Sequence, residues 1–227
     1  MVIKVEGLRL EYRTGAGMFP VLDIPSWKVG DQAQTAITGS SGSGKSTLLN
    51  ILAGLLKPSA GSVEVCGTEL TRLSESQRDK FRGKNLSYIF QTFNLLQGYT
   101  ALENVMLGAA FTGNPLDRRS ALALLARVGL SRRSGHYPSQ LSIGEQQRVA
   151  ISRSLAKKPK LILADEPTGS LDPFHSGEVV DLLCEACREH GCALILVSHE
   201  MKVAERFADR VDFMTLNLAL SGMGGKK

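Results

Sequence analysis

The stretch Gly39-Ser40-Ser41-Gly42-Ser43-Gly44-Lys45-Ser46-Thr47 constrains this chain more than any other. An apolar run, Thr35-Ala36-Ile37-Thr38, precedes it, and Leu48-Leu49-Asn50-Ile51-Leu52-Ala53 follows. That order predicts strand, glycine-rich turn and helix, and the spacing fits the G-x-x-x-x-G-K-[ST] phosphate loop. Gly39, Gly42 and Gly44 permit backbone angles that a Cβ forbids, so successive N–H groups can turn inward around an anion. The helix that follows points its positive end at the same anion. Lys45 suits the outer phosphates as a point charge, and Ser46 offers a hydroxyl to Mg2+. A flexible serine-rich turn that happens to hold a lysine is the bland alternative. The readable strand before it and helix after it argue against that, and the stretch predicts binding of a nucleoside triphosphate.

Bulk properties narrow the class. At 227 residues, length allows one domain or two small ones. The excess of 27 Lys+Arg over 22 Asp+Glu gives +5, which suits an anionic ligand or a membrane surface but is too diffuse to argue nucleic-acid binding. The apolar run Ala193-Leu194-Ile195-Leu196-Val197 is strand-sized and far below a membrane span. Met1-Val2-Ile3-Lys4-Val5 starts directly as a strand-like pattern with no signal peptide, so a cytosolic protein is expected. Cys66, Cys184, Cys187 and Cys192 do not make a disulfide framework in a chain of this size. Cys184-x-x-Cys187, with Cys192, His190 and His175 nearby, invites a zinc reading, but the spacing matches no common zinc pattern and buried free thiols are the expected outcome.

Residues 2–12 and 21–28 alternate apolar and polar around the turn at 14–17, which predicts an antiparallel layer holding Tyr12. Residues 62–66, 86–90, 161–164 and 193–197 read as further strands. Ser74-x-x-Gln77 predicts a capped helix ending near Gly83. Strand signals stop at residues 92–138, where 102–106 and 118–128 have helical spacing. Helices are expected over 144–157 and 176–190, and 221–227 reads as a mobile tail. Alternating strands and helices argue an α/β core with a parallel sheet.

In such sheets the ligand sits at the carboxyl ends of the strands, and here those ends finish in Ser40, Gln91, Asp165-Glu166 and His199. Asp165, after an apolar strand, fits the second Mg2+-holding element beside Ser46. Glu166 could polarise the water that attacks the γ-phosphate; alone it could be a solvated loop carboxylate, but beside Asp165 at a strand end the catalytic reading wins. In Leu141-Ser142-Ile143-Gly144-Glu145-Gln146-Gln147, Ser142 and Glu145 have capping-box spacing. The same helix end could also present Ser142 and free N–H groups to a phosphate.

These stretches together resemble the ATP-binding cassette family across essentially the whole chain. The resemblance rests on the phosphate loop, Gln91, the Leu-Ser-x-Gly-Glu-Gln-Gln signature, and Leu-Ile-Leu-Ala-Asp-Glu followed by Ser170-Leu171-Asp172 and His199. It implies a single-domain phosphate-loop NTPase over 1–227. The parts would be a RecA-like parallel-sheet core, an N-terminal antiparallel β subdomain and a helical insertion over about 92–158. It also implies a homodimer of cassettes that sandwiches two ATP molecules, with Ser142, Gly144 and Glu145 of one copy facing the γ-phosphate in the other. Tyr12 matches the residue that stacks on adenine, although a plain strand aromatic is the alternative. Gln91 matches the residue that senses Mg2+ and attacking water, Asp172 the loop bridging the subunits, and His199 the reader of the γ-phosphate. Ile143 departs from the family, which has glycine there. A β-branched residue resists the angles open to glycine, so a looser approach of the signature to the phosphate is expected.

Ala164-Asp165-Glu166-Pro167-Thr168-Gly169-Ser170-Leu171-Asp172 is similar to the lipoprotein-releasing, macrolide-exporting and FtsE-like subgroup. Membership there implies an ATPase on the cytoplasmic face of the membrane that drives separate transmembrane permease subunits. Phe93, Leu95, Leu96 and Tyr99 would line the groove that accepts them, or else pack as helical-subdomain core. A soluble cassette ATPase acting on DNA or ribosomes is the alternative. Its usual coiled-coil insertion or second cassette is absent from this sequence, and residues 45–142 hold no heptads.

Overall fold

The computed structural model describes residues 1–15, 17–110, 112, 115–169 and 173–220. Strands β1 (Ile3–Thr14) and β2 (Gly17–Val29) form the antiparallel hairpin that the alternation predicts. Ile3 and Val5, and then Leu8 and Leu10 after the alternation breaks at Gly7 (φ 58°), are all buried in one core. The phosphate-loop strand β3 (Gln34–Thr38) leads through the loop to α1 (Lys45–Leu52). Next, β4 (Ala60–Val65) and β5 (Thr68–Glu69) complete a four-stranded antiparallel sheet, ordered β2-β1-β4-β5. Helix α2 (Glu75–Asn85) starts at a reciprocal capping box between Ser74 and Gln77 and leads into β6 (Leu86–Ile89).

Two helices of the middle section, α3 (Ala101–Leu107) and α4 (Arg118–Arg127), precede α5 (Ile143–Leu155). Strand β7 (Leu161–Asp165), helix α6 (Pro173–His190) and strand β8 (Ala193–Ser198) follow as a β-α-β unit. The chain continues through α7 (Met201–Ala204), β9 (Asp209–Asp212) and α8 (Phe213–Leu216). The second sheet is ordered β6-β7-β8-β3-β9, and every neighbouring pair is parallel.

Helices or the other sheet cover both faces of this sheet, so β7 and β8 are continuous apolar runs. Their two-residue period divides the core. Leu161, Leu163, Ile195 and Val197 pack with the antiparallel sheet and α1. Ile162, Ala164, Leu194 and Leu196 pack with α6 instead. A third cluster is drawn wholly from residues 93–156, with Leu102, Val105, Leu125 and Val149 among its members. The C-terminal elements α7, β9 and α8 had no counterpart in the sequence reading. The tail expected at 221–227 lies outside the described residues.

Candidate nucleotide site

The phosphate loop joins the end of β3 to α1, and the loop's last glycine sets its shape. Gly44 caps α1 from the left-handed region (φ 104°), with no side-chain cap on the helix. A Cβ at Gly44 would lie 3.2 Å from Leu22 Cδ2 and 3.3 Å from the Val21 carbonyl, so only glycine fits both the angle and the space. Lys45 is buried, and its Nζ donates to the carbonyls of Gly39 (2.8 Å) and Ser40 (2.7 Å). Burial lowers the Lys45 pKa, and the Glu166 and Asp165 carboxylates oppose that shift. The ammonium is thus held inside the loop with acidic groups close by.

Ser46 Oγ donates to Asp165 Oδ1 at 2.9 Å, bringing together the two residues expected to share a cation. Tyr88 on β6 donates its hydroxyl to Asp165 Oδ2 at 3.2 Å. Burial raises the Asp165 pKa even though Ser46 and Tyr88 both pull it down. Tyr88 was not singled out from the sequence. The only signal for it is a phenol in a short apolar strand, since a buried Tyr hydroxyl needs a partner. Burial pushes the Tyr88 phenol well up.

Glu166 follows β7 in a left-handed conformation (φ 46°) that a side chain rarely adopts. Its N–H donates to the Val197 carbonyl (3.0 Å), and its Oε2 accepts the His199 N–H (3.3 Å). The same oxygen lies 3.0 Å from His199 Nδ1. Gln91 leans on the next turn, where a Cβ on Gly169 would come within 3.1 Å of Gln91 Nε2. Lys45, Ser46, Gln91, Glu166 and His199 line one cleft of about 450 Å³, together with Ser41, Gly42, Gly44, Thr47 and Val21. A larger cleft, about 640 Å³ between α4, α5 and α6, contains none of the predicted site residues.

Several expected residues stand elsewhere. Tyr12 lies opposite Phe19 on the hairpin; both are about half exposed and neither lines the cleft. Ser142, Gly144 and Glu145 form the first turn of α5, away from the cleft. Ser142 Oγ accepts the Glu145 N–H (3.2 Å), and Glu145 Oε2 accepts the Ser142 N–H (2.8 Å). That backbone bond lowers the Glu145 pKa, helped by Arg133, whose Nε donates to Oε1 at 2.9 Å. Asp172 lies outside the described residues.

The backbone-angle ground for a looser approach at Ile143 is not met. Ile143 is the first helical residue of α5, it is not among the positive-φ residues, and its side chain is exposed. Right-handed helical angles suit a β-branched residue, so no backbone strain arises there. The groove expectation is corrected in part. Phe93 and Leu95 are buried in the third cluster, whereas Leu96 and Tyr99 are exposed.

Two long-range ties were invisible in the sequence. Buried Gln147 on α5 donates to the Pro167 carbonyl, beside Glu166. Arg153, in the last turn of α5, donates Nη1 to the Asn94 carbonyl and Nη2 to the Phe93 carbonyl, both at 2.6 Å. Phe93 and Asn94 both have positive φ, so the arginine holds a strained turn just after Gln91. Cys184, Cys187 and Cys192 are buried free thiols. Among the described residues, no group of three or more His, Cys, Asp or Glu side chains converges as a metal site.

Residues 22–169, more than half of the chain, match the family model described as ABC transporter. The chain belongs to the ABC transporter family. Two curated relatives agree. The lipoprotein-releasing system ATP-binding protein LolD of Xanthomonas oryzae pv. oryzae is 43% identical over 212 residues, covering 92% of this cassette and 86% of that protein. The macrolide export ATP-binding/permease protein MacB of Rhodopirellula baltica is 42% identical over 214 residues, covering 92% of this cassette. Only 31% of MacB is matched, so the cassette spans about a third of that relative's length. Among solved structures, the dimeric ATP-binding cassette MJ0796 in a post-hydrolysis state, bound to ADP and Pi, superposes with a TM-score of 0.80 at 36% identity. That match covers 89% of this cassette and 90% of MJ0796. The cassette is therefore an ATP-binding, ATP-hydrolysing transport subunit with the expected fold class. The relatives give no support to the DNA- or ribosome-acting alternative. Among the described residues, no helix is long and apolar enough to cross a membrane.

Proposed function

We propose that this cassette hydrolyses Mg-ATP between two copies of itself and drives a separate membrane-spanning permease of the lipoprotein-release or macrolide-export type. It would sit peripherally on the cytoplasmic face of the membrane. The observation that carries the reading is the convergence of Lys45, Ser46, Gln91, Glu166 and His199 on one cleft at the carboxyl ends of the parallel strands. The third core cluster supports treating 92–158 as a helical arm of a single cassette domain.

Within that reading the glycine loop and the N-terminus of α1 bind the β- and γ-phosphates, and Lys45 leaves the Gly39 and Ser40 carbonyls to meet them. The Ser46 hydroxyl and the Asp165 carboxylate, in hydrogen-bond contact, and the Gln91 amide oxygen in the cleft with Ser46 would hold Mg2+ through oxygen alone. The bound ion would neutralise phosphate charge. Tyr12 stacks on adenine. Glu166 accepts a proton from water as that water attacks phosphorus; the new P–O bond forms as the bond to the ADP oxygen breaks. His199, tied to Glu166, meets the γ-phosphate. Ser142, Gly144 and Glu145 approach that phosphate from the second copy, and Asp172 joins the two. Catalysis comes from positioning and electrostatics.

Glu166→Gln is the direct test. It keeps ATP affinity, lowers turnover by about 100-fold or more, and accumulates a closed dimer that size-exclusion chromatography with Mg-ATP detects. Near-normal turnover in this variant removes Glu166 from the chemistry.

A further inference from the structure

The chain returns to the phosphate loop at its C-terminal end. Strand β9 runs parallel to β3, pairing Asp212 with Thr38, and α8 begins where the loop begins. Phe213 is completely buried. A Cβ on Gly39 would lie 3.1 Å from Phe213 Cβ, and one on Gly44 would lie 3.6 Å from its Cε1. The ring therefore backs both ends of the glycine-rich turn.

Asn217, just after α8, is also completely buried, and its amide spans three segments. Its Oδ1 accepts the N–H groups of Asp23 (2.8 Å) and Ala219 (3.3 Å). Its Nδ2 donates to the carbonyls of Val21 (2.9 Å) and Ser43 (3.5 Å). Val21 lines the cleft, and its carbonyl is one of the two atoms that crowd a Cβ at Gly44. One side chain thus links β2, the phosphate loop and the C-terminal segment without reaching the cleft itself.

We propose that Phe213 and Asn217 brace the phosphate loop in its anion-binding shape, with Asn217 a positioning residue for nucleotide affinity. This rests on the reading of that loop as the ATP site. A loop with three glycines has many conformations to lose, and a bound phosphate must order whatever the protein leaves loose. The brace supplies that order beforehand, so its loss falls on affinity, whereas saturating nucleotide can rebuild the loop and preserve turnover.

The experiment measures KM and kcat for Mg-ATP, together with hydrogen exchange of loop amides in the nucleotide-free full chain. Asn217→Ala raises KM by about 10-fold with kcat within about twofold, and speeds exchange at residues 39–47. Asn217→Asp retains the acceptor oxygen but turns a second oxygen toward the Val21 and Ser43 carbonyls, giving a rise at least as large. Leu183→Ala, on the buried face of α6, lowers the melting temperature and leaves KM and loop exchange alone. Wild-type KM and loop exchange in folded Asn217→Ala overturn the brace, as does an equal KM rise in Leu183→Ala. Should Asn217→Ala not fold, Asn217→Asp is judged by the same criteria. A wild-type chain that does not bind ATP sinks the nucleotide reading, and loop exchange still decides the brace.

Discussion

The N-termini of α1 and α5 are built in opposite ways, although each is assigned to a phosphate. At α1 the cap is Gly44 in a left-handed conformation, and no side chain takes up the helix's free N–H groups. At α5 a complete capping box satisfies two of them, and Arg133 anchors the Glu145 carboxylate. The first end is organised for a ligand and relies on glycine, a buried lysine and neighbouring segments for its form. The second is stable on its own and can wait on the surface for a partner. A helix end left without a side-chain cap suits a site that is filled in every cycle; a capped one suits a surface met only when two copies close.

Exchanging the two glycines separates these designs most sharply. Gly44→Ala places a Cβ against Leu22 and the Val21 carbonyl at a backbone angle that disfavours it, so ATP affinity falls by about 100-fold or more in a fluorescent-nucleotide titration. Gly144→Ala meets no atom within 4 Å, so single-chain affinity is retained and the melting temperature holds or rises slightly. Its effect appears in the dimer, where turnover drops by about 10-fold. Equal losses of affinity in the two variants would erase the distinction. Ser142→Ala removes the cap of α5, costing about 1 kcal/mol of stability and a few degrees in a thermal melt. No loss of stability there would mean that the box is idle.

The smallest effect lies beyond the far end of α5. Burial lowers the Lys157 pKa to about 8, helped by the Arg82 charge. Between about pH 8 and 10.5 the unfolded chain binds more protons than the folded one at this site, so stability rises with pH across that window. Lys157→Met removes the cost of burying the cation. After allowance for solvent screening, the variant gains on the order of 1 kcal/mol at pH 7. Denaturant melts should show that gain fading as pH approaches 10.5, and a gain independent of pH would contradict the sign.

Most of the cleft was legible because its residues follow apolar runs. Gln91, Asp165, Glu166 and His199 each terminate a strand whose burial is written in its composition, and the parallel fold collects such ends. Residues that act across long separations left no local trace. Tyr88 reaches Asp165, Arg153 reaches Phe93 and Asn94, and Asn217 reaches Val21 and Ser43 only once the chain is folded. Buried Asn104, which accepts the Leu96 N–H and donates to the carbonyls of Leu96, Tyr99 and Thr100, belongs with them. Strand β9 was missed because Asp209, Arg210 and Asp212 give a sheet-edge segment no apolar period. At Ile143 the change from glycine carries no backbone cost, because the residue takes ordinary helical angles in the first turn of α5.

The grip of Arg153 on two successive carbonyls has a mechanical meaning. The segment that follows Gln91 and the helix capped by Ser142 are bolted together by a cation lodged between them. Within the proposed function, a push on exposed Leu96 and Tyr99 would reach α5 through that contact.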